Sequence, residues 1–210
     1  MGDPRWSAIT RLVLGSKSWS RRTLLKELGL PTLEIEIPDI DERSIRDEDP
    51  RILVQQIALA KARALLPRIS PTASGKTILI TGDSVVTHKG QILEKPAHEQ
   101  EARQFLASYA TGPATTVASI AVIDVVKRLV WIGVDEAEVY FRKMPENVID
   151  ELITDGGALE SAGGLRIEHP AVQKYIDCII GHRSAVMGFS KPLAERLLQE
   201  ALSAKGGQPI

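Results

Sequence analysis

The sequence predicts an α/β protein built on a mixed β-sheet with flanking helices. Short apolar runs of strand length alternate along the chain with segments of helical period. Two strand pairs are joined by turns too short for a crossover, at Lys89-Gly90 and between Asp124 and Leu129, so the sheet contains antiparallel hairpins. The composition, 43% hydrophobic and 25% charged over 210 residues, supports a real core in one large domain or two closely packed lobes. Aromatics are only 4%, so Leu, Ile, Val and Ala must fill that core.

The elements follow in order. Ile9 to Leu14 reads as a strand, Gly15 to Ser20 as a polar loop, and Ser20 to Leu28 as a helix closed by Gly29. Leu33-Glu34-Ile35-Glu36-Ile37 alternates with period two and ends at Pro38. Asp49 and Pro50 make an N-cap and first turn for a helix reaching Leu66. After a Ser/Thr/Pro/Gly linker (Ser70 to Lys76), Thr77 to Thr81 reads as a buried strand that exits through Gly82 into Asp83-Ser84. Helices are expected over His98 to Ala110, Pro145 to Thr154 and Lys191 to Ser203, and long strands over Thr115 to Asp124 and Leu129 to Phe141. Residues from about 204 onwards read as a flexible tail.

Charge and composition exclude several functions. Lys plus Arg (26) nearly balances Asp plus Glu (27), which argues against binding nucleic-acid polymers. No apolar stretch approaches the ~20 residues that span a bilayer. The start Met1-Gly2-Asp3-Pro4 matches neither a signal peptide nor, with Trp at position 6, an acylation signal. The lone Cys178 permits no intrachain disulfide; lying in the apolar run Ile176 to Ile180 it reads as a buried small hydrophobe. A cytoplasmic protein is expected.

Two familiar motifs fail. Ser74-Gly75-Lys76-Thr77 resembles the end of a phosphate-binding loop, but the first glycine is replaced by Ser70 and a strand follows where a helix is needed. His98-Glu99 would open a zinc-protease motif only with His at position 102, which is Ala102.

Other residues carry chemistry as a group. Gly15-Ser16-Lys17-Ser18-Trp19-Ser20-Arg21-Arg22 places hydroxyls and arginine at a helix start, a setting that suits phosphate oxygens and equally an ordinary capped loop. Asp39-Ile40-Asp41-Glu42 follows a strand, where a carboxylate suits Mg²⁺ or is simply solvated. Lys61 shares a helix face with Val54, Ala58, Ala62 and Leu65, so it must snorkel or meet a buried anion. Asp83 at a strand exit is a common presentation for a catalytic carboxylate, and Lys95-Pro96 adds a stiffened lysine.

In this order the motifs resemble the Maf family. They are Ser-x-Ser-x-x-Arg at 16 to 21, Asp-Glu at 41 and 42, Ala-x-x-Lys-Ala at 58 to 62, Gly-Asp-Ser-Val-Val at 82 to 86 and Lys-Pro at 95 and 96. Ala162 to His169 and Ser184 to Phe189 are similar to its C-terminal motifs, and the likeness runs over about residues 9 to 194 of one domain spanning 1 to 210.

The resemblance implies an elongated mixed sheet with two lobes around a cleft, similar to the inosine triphosphate pyrophosphatase fold. It implies hydrolysis of a nucleoside triphosphate to monophosphate and pyrophosphate with Mg²⁺ or Mn²⁺, and it allows a homodimer. By position, Asp83 matches the catalytic base and a metal ligand, and Glu42 the acidic residue that helps hold metal. Ser16, Ser18, Arg21, Lys61 and Lys95 match the phosphate site. Ser20, Ser84 and Glu168 match three positions that differ between branches: Arg, Thr and Gln for dTTP/UTP, and Trp, Gln and Glu for 7-methyl-GTP. Glu168 follows the second pattern, Ser84 is nearer Thr, and Ser20 fits neither, although Trp19 lies beside it. A carboxylate and a stacked Trp would favour the cationic ring of N7-methylguanine; UTP, CTP and dTTP are the competing substrates. Glu160-Ser161 departs from the family's usual Asp-Lys. The alternative function is a noncatalytic nucleotide-binding regulator of cell division or stress response, against which the retention of both Glu42 and Asp83 counts.

Overall fold

The computed structural model describes residues 3–210, so Met1 and Gly2, and with them the reading of the N-terminal pair, lie outside the described residues. In chain order the elements are β1 (Ile9–Leu14), α1 (Trp19–Glu27), β2 (Leu33–Ile35), α2 (Pro50–Leu65), β3 (Lys76–His88), β4 (Gln91–Leu93) and α3 (Glu99–Ser108). There follow β5 (Ala114–Asp124), β6 (Leu129–Phe141), α4 (Glu146–Thr154), α5 (Pro170–Gln173), β7 (Ile176–Ile180), α6 (Arg183–Val186), α7 (Lys191–Ser203) and β8 (Gln208–Pro209). Among the described residues the strands form one mixed sheet in the order β2-β1-β3-β5-β6-β7, with β4 on β3 and β8 on β6. β1 runs parallel to both β2 and β3, while β3–β4 and β6–β7 are antiparallel. No described helix is long and apolar enough to cross a membrane.

The chain divides into two units. The first comprises the residues up to Asp83, Ala118–Asp135 and Phe189–Ile210. Its core packs Ala58, Ala62 and Leu65 of α2 against Val13, Leu79 and Ala121 of the strands. Helix α2 starts where expected: Asp49 Oδ1 accepts the Arg51 amide at 2.8 Å, and Pro50 occupies the first turn, where its missing N–H costs nothing. Two buried hydroxyls fix that helix on the sheet. Thr81 Oγ1 donates to the Ala58 carbonyl at 2.8 Å and Ser119 Oγ to the Val54 carbonyl at 2.6 Å.

The second unit comprises Ser84–Val117 and Glu136–Gly188. Its core gathers Leu106 of α3, Val139 of β6 and Ile149 and Leu152 of α4. Tyr109 stacks on Phe141 and donates its hydroxyl to the Gly163 carbonyl at 2.6 Å. The β3–β4 hairpin turns through Lys89 and Gly90, both at positive φ, as a two-residue hairpin turn of this kind requires.

Four expectations are corrected. The strand beginning near Thr77 does not end at Gly82 but continues to His88, so Asp83 sits within a strand. Ladder pairing of β3 with its neighbours, including β4 from Val86 onwards, keeps the backbone extended beyond the glycine. The alternating segment after Gly29 forms a strand only over Leu33–Ile35. Cys178 is exposed, because β7 lies at the edge of the sheet and turns Cys178 outwards. The tail is not free: β8 pairs with Leu129 and Val130 of β6, and the Ile210 amide bonds the Arg128 carbonyl at 3.2 Å.

Candidate active site

In the first unit, β1 delivers the chain to Gly15, whose amide donates to the Ile80 carbonyl at 2.8 Å. Glycine is required there by space: a Cβ would sit 2.5 Å from Leu65 Cδ1 and 2.8 Å from Thr81 Cγ2. The chain then enters α1 through hydroxyl side chains. Ser16 Oγ accepts the Ser18 amide at 3.2 Å, Ser18 Oγ caps the helix at the Arg21 amide (3.4 Å), and the Ser18 and Ser20 hydroxyls are 2.9 Å apart. Trp19 projects from the first turn of α1 at 62% exposure.

Arg21 is buried rather than solvated. It is 7% exposed, and Nη1 donates to Ser16 Oγ at 3.3 Å and to the Gly82 carbonyl at 2.9 Å. Burial pulls its guanidinium below the usual range, and Asp83 and then Glu42 oppose that pull. Its contact with Gly82 also holds the peptide that precedes Asp83.

Of the two arrangements open to a lysine on an apolar face, Lys61 takes the second and meets a buried anion. Its Nζ lies 2.9 Å from Asp83 Oδ1 and 2.8 Å from Glu42 Oε2. The Lys61 and Asp83 side chains are 6% and 12% exposed, whereas Glu42 is 48% exposed, so one carboxylate comes from within the sheet and the other from a surface turn. That turn is shaped by Asp41, whose side chain accepts the Arg43 amide at 3.1 Å. The pairing puts two carboxylate oxygens around a single cationic position.

Ser119 was not singled out in the sequence. Its hydroxyl accepts the Asp83 amide at 3.3 Å while donating to Val54, so it joins the backbone of Asp83 to the helix that carries Lys61. Gly82 permits this approach, since a Cβ there would sit 2.5 Å from the Ser119 carbonyl oxygen. The available signal was a serine inside the otherwise apolar, buried run Val117 to Ile123.

The other singled-out residues belong to the second unit. Ser84 packs against Gly188, where a Cβ would lie 2.7 Å from the Ser84 hydroxyl. Lys95 is 62% exposed and pairs with the still more open Glu160 at 3.3 Å, so the departure at Glu160 supplies that lysine's partner. At this exposure the pair contributes little stability. Ser161 donates to the Gly157 carbonyl at 3.0 Å. Glu168 Oε1 accepts from Arg166 Nε at 3.2 Å, and Arg166 Nη1 also reaches Asp155 Oδ2 at 2.7 Å.

The Asp83–Glu42 pair suits a hard divalent cation. Its donors are all oxygen and lie on either side of Lys61 Nζ, and among the described residues no group of three or more His, Cys, Asp or Glu offers a closed metal cage. Mg²⁺ and Mn²⁺ are held in this way, by one or two carboxylates with the remaining positions left to water and phosphate.

Comparison with known proteins agrees with the motif order. The family model described as Maf-like protein matches residues 11–201. A 7-methyl-GTP pyrophosphatase of Dictyostelium discoideum is 37% identical over 90% of this chain and 96% of its own length. A dTTP/UTP pyrophosphatase of Hydrogenovibrio crunogenus is 29% identical over 91% of this chain and 96% of its own, and a 7-methyl-GTP pyrophosphatase of Chromohalobacter salexigens is 36% identical over 76% and 80%. With the family model matched over residues 11–201, and the Ser16–Arg21, Glu42, Lys61 and Asp83 motifs brought together around Lys61 and Gly82, the chain belongs to the Maf family.

Proposed function

We propose that this chain hydrolyses a nucleoside triphosphate between the α and β phosphates, releasing the monophosphate and pyrophosphate. The observation that carries the reading is the convergence of Asp83 and Glu42 on Lys61 Nζ, with Arg21 buried behind Gly82. A triphosphate brings about four negative charges that must be matched wherever water is excluded. Lys61 and Arg21 supply fixed positive charge, and the Ser16 and Ser18 hydroxyls and α1 amides supply hydrogen bonds.

Asp83 is assigned as the base. Its Oδ1 is engaged by Lys61, which orients the carboxylate and leaves Oδ2 to accept a proton from the attacking water. The water oxygen forms a bond to the α phosphorus while the bond from that phosphorus to the bridging oxygen breaks. Pyrophosphate leaves with the electron pair, and the proton remains on Asp83. Lys61 and Arg21 stabilise the charge that grows on the phosphoryl oxygens. A divalent metal, Mg²⁺ or Mn²⁺, held by Asp83 and Glu42 would acidify a bound water and withdraw charge from phosphate. Lys95 is assigned to pyrophosphate on its match to the family motif.

Glu168 is assigned to base discrimination, and a 7-methyl-GTP-like substrate is favoured over UTP, CTP or dTTP. Support comes from the carboxylate at position 168, the exposed Trp19 and the 37% and 36% identities to relatives that carry the 7-methyl-GTP name. The absence of any possible intrachain disulfide supports a cytoplasmic setting.

The test is pyrophosphate release from a panel of 7-methyl-GTP, GTP, ATP, ITP, UTP, CTP and dTTP with Mg²⁺ or Mn²⁺. Asp83→Asn is expected to lose on the order of 10³-fold or more in turnover while still binding nucleotide. A near-normal rate for that variant removes Asp83 from the chemical step. Clean binding by the wild type with no hydrolysis of any nucleotide replaces the enzyme reading with that of a binding regulator.

A further inference from the structure

Residues 155–169 form a charged segment in the second unit whose wiring separates two tasks. The backbone is held by one set of groups. Tyr109 donates to the Gly163 carbonyl at 2.6 Å, Arg183 Nη2 to the Ile167 carbonyl at 3.0 Å, and Gln173 Nε2 to the Glu168 carbonyl at 3.2 Å. The Arg166 side chain joins none of these. Its Nε donates to Glu168 Oε1 at 3.2 Å, and its Nη1 donates to Asp155 Oδ2 at 2.7 Å. Asp155 is fixed in turn, accepting the Gly157 amide at 2.8 Å and lying 3.3 Å from His169 Nε2. The Arg166 guanidinium lies directly over Gly157, where any Cβ would overlap it.

The hydrogen bonds that hold the main chain at Ile167 and Glu168 come from Arg183 and Gln173, not from the Arg166 side chain. What Arg166 fixes is the side chain: which way the carboxylate points and which of its oxygens is already committed. The planar fork holds Nε on one carboxylate and Nη1 on the other in fixed directions, which the single, freely rotating ammonium of a lysine does not do. Asp155, Arg166 and Glu168 together carry one net negative charge. Glu168 thus stays attractive to a positively charged or amino-bearing base edge while one oxygen is pinned.

We propose that Arg166, anchored by Asp155, is a positioning residue for base selection. It presents the Glu168 carboxylate as an acceptor for nucleobases with N–H donors or a cationic ring, the 7-methylguanine class foremost. The proposal rests on the reading of Glu168 as the base contact.

A double-mutant cycle of Arg166→Gln and Glu168→Gln, with kcat and KM measured on 7-methyl-GTP, GTP, CTP and UTP, tests it. Glu168→Gln is expected to reduce kcat/KM on the preferred nucleotide by about tenfold or more, mainly through KM, as for loss of a charge-assisted hydrogen bond. Arg166→Gln should act on the same nucleotide in the same direction and cause no further loss once Glu168 is already Gln. Arg166→Lys should not restore selectivity, and Asp155→Asn should shift KM the same way by a smaller factor. If the two losses multiply, or if Arg166→Gln weakens every nucleotide alike, Arg166 is structural and the proposal fails, while the role of Glu168 stands. If Glu168→Gln leaves discrimination unchanged, the base-contact reading itself fails.

Discussion

Replacing Lys61 with Met tests the physical logic of the cluster without touching either carboxylate. The side chain keeps its length and loses its charge. Two oxygens that each lie within 3 Å of Lys61 Nζ then face one another unscreened. At a separation of about 6 Å and an effective dielectric near 20, their repulsion is about 3 kcal/mol. Removing one partner of a buried pair costs about 3–5 kcal/mol. Glu42 is half exposed and free to swing into water, which relieves part of the repulsion but leaves Asp83 buried and unpaired. A loss of about 3 kcal/mol is therefore expected, most of it from Asp83. Urea unfolding of the metal-free protein should show a lower midpoint with an unchanged slope. Adding Asp83→Asn should recover more than half of the loss, and adding Glu42→Gln much less. A loss under about 1 kcal/mol for Lys61→Met, the scale of exposed pairs, would refute the reasoning. So would a Lys61→Met/Asp83→Asn double variant as unstable as Lys61→Met alone.

Two further outcomes follow from the same geometry. Ser119→Ala removes the acceptor of the Asp83 amide and the donor to the Val54 carbonyl, so it should cost about 1–3 kcal/mol in thermal or urea unfolding. It should also lower kcat by about tenfold while leaving KM near its starting value, because Asp83 is displaced and the basic residues are not. The Arg11 side chain holds Glu34 below the usual carboxylate range, first through their hydrogen bonds, so the folded state binds that proton more weakly than the unfolded chain does. The stabilisation is therefore present above 4.5, the ordinary glutamate value, and is lost as pH falls through the lower folded value. The stability difference between wild type and Arg11→Ala should be steady near neutrality and shrink in acid; a difference that grows on acidification contradicts the assignment.

How legible each part was depended on whether a local rule governed it. β1, α2 and α7 follow directly from hydrophobic period and, for α2, an Asp-Pro start, and their observed bounds lie within a residue of expectation. Lys61 was legible because a lysine on an apolar face has few ways to exist. The continuation of β3 through Gly82 and Asp83 was not, since ladder pairing with strands distant in sequence overrode a glycine that locally signals an exit. Cys178 misled for a related reason: its apolar neighbours suggested burial, but β7 is an edge strand and its outward positions face solvent. Ser119 has no motif around it, and its contacts with Val54 and Asp83 arise only in three dimensions.

The buried charges also explain why the motifs of the first unit must occur together. Arg21 and Lys61 are both under 10% exposed and would be costly alone. Asp83 and Glu42 balance them, so the folded protein carries no large uncompensated charge in the cluster while no nucleotide is bound. That neutrality makes the cluster a poor site for a bare triphosphate, whose negative charge would meet two carboxylates as well as two cations. Added cation changes the balance, since positive charge on the carboxylates leaves Lys61 and Arg21 to the phosphates. Tight nucleotide binding should therefore depend on Mg²⁺ or Mn²⁺ even before chemistry begins. Asp83→Asn, by deleting one negative charge, should weaken that dependence as it abolishes turnover.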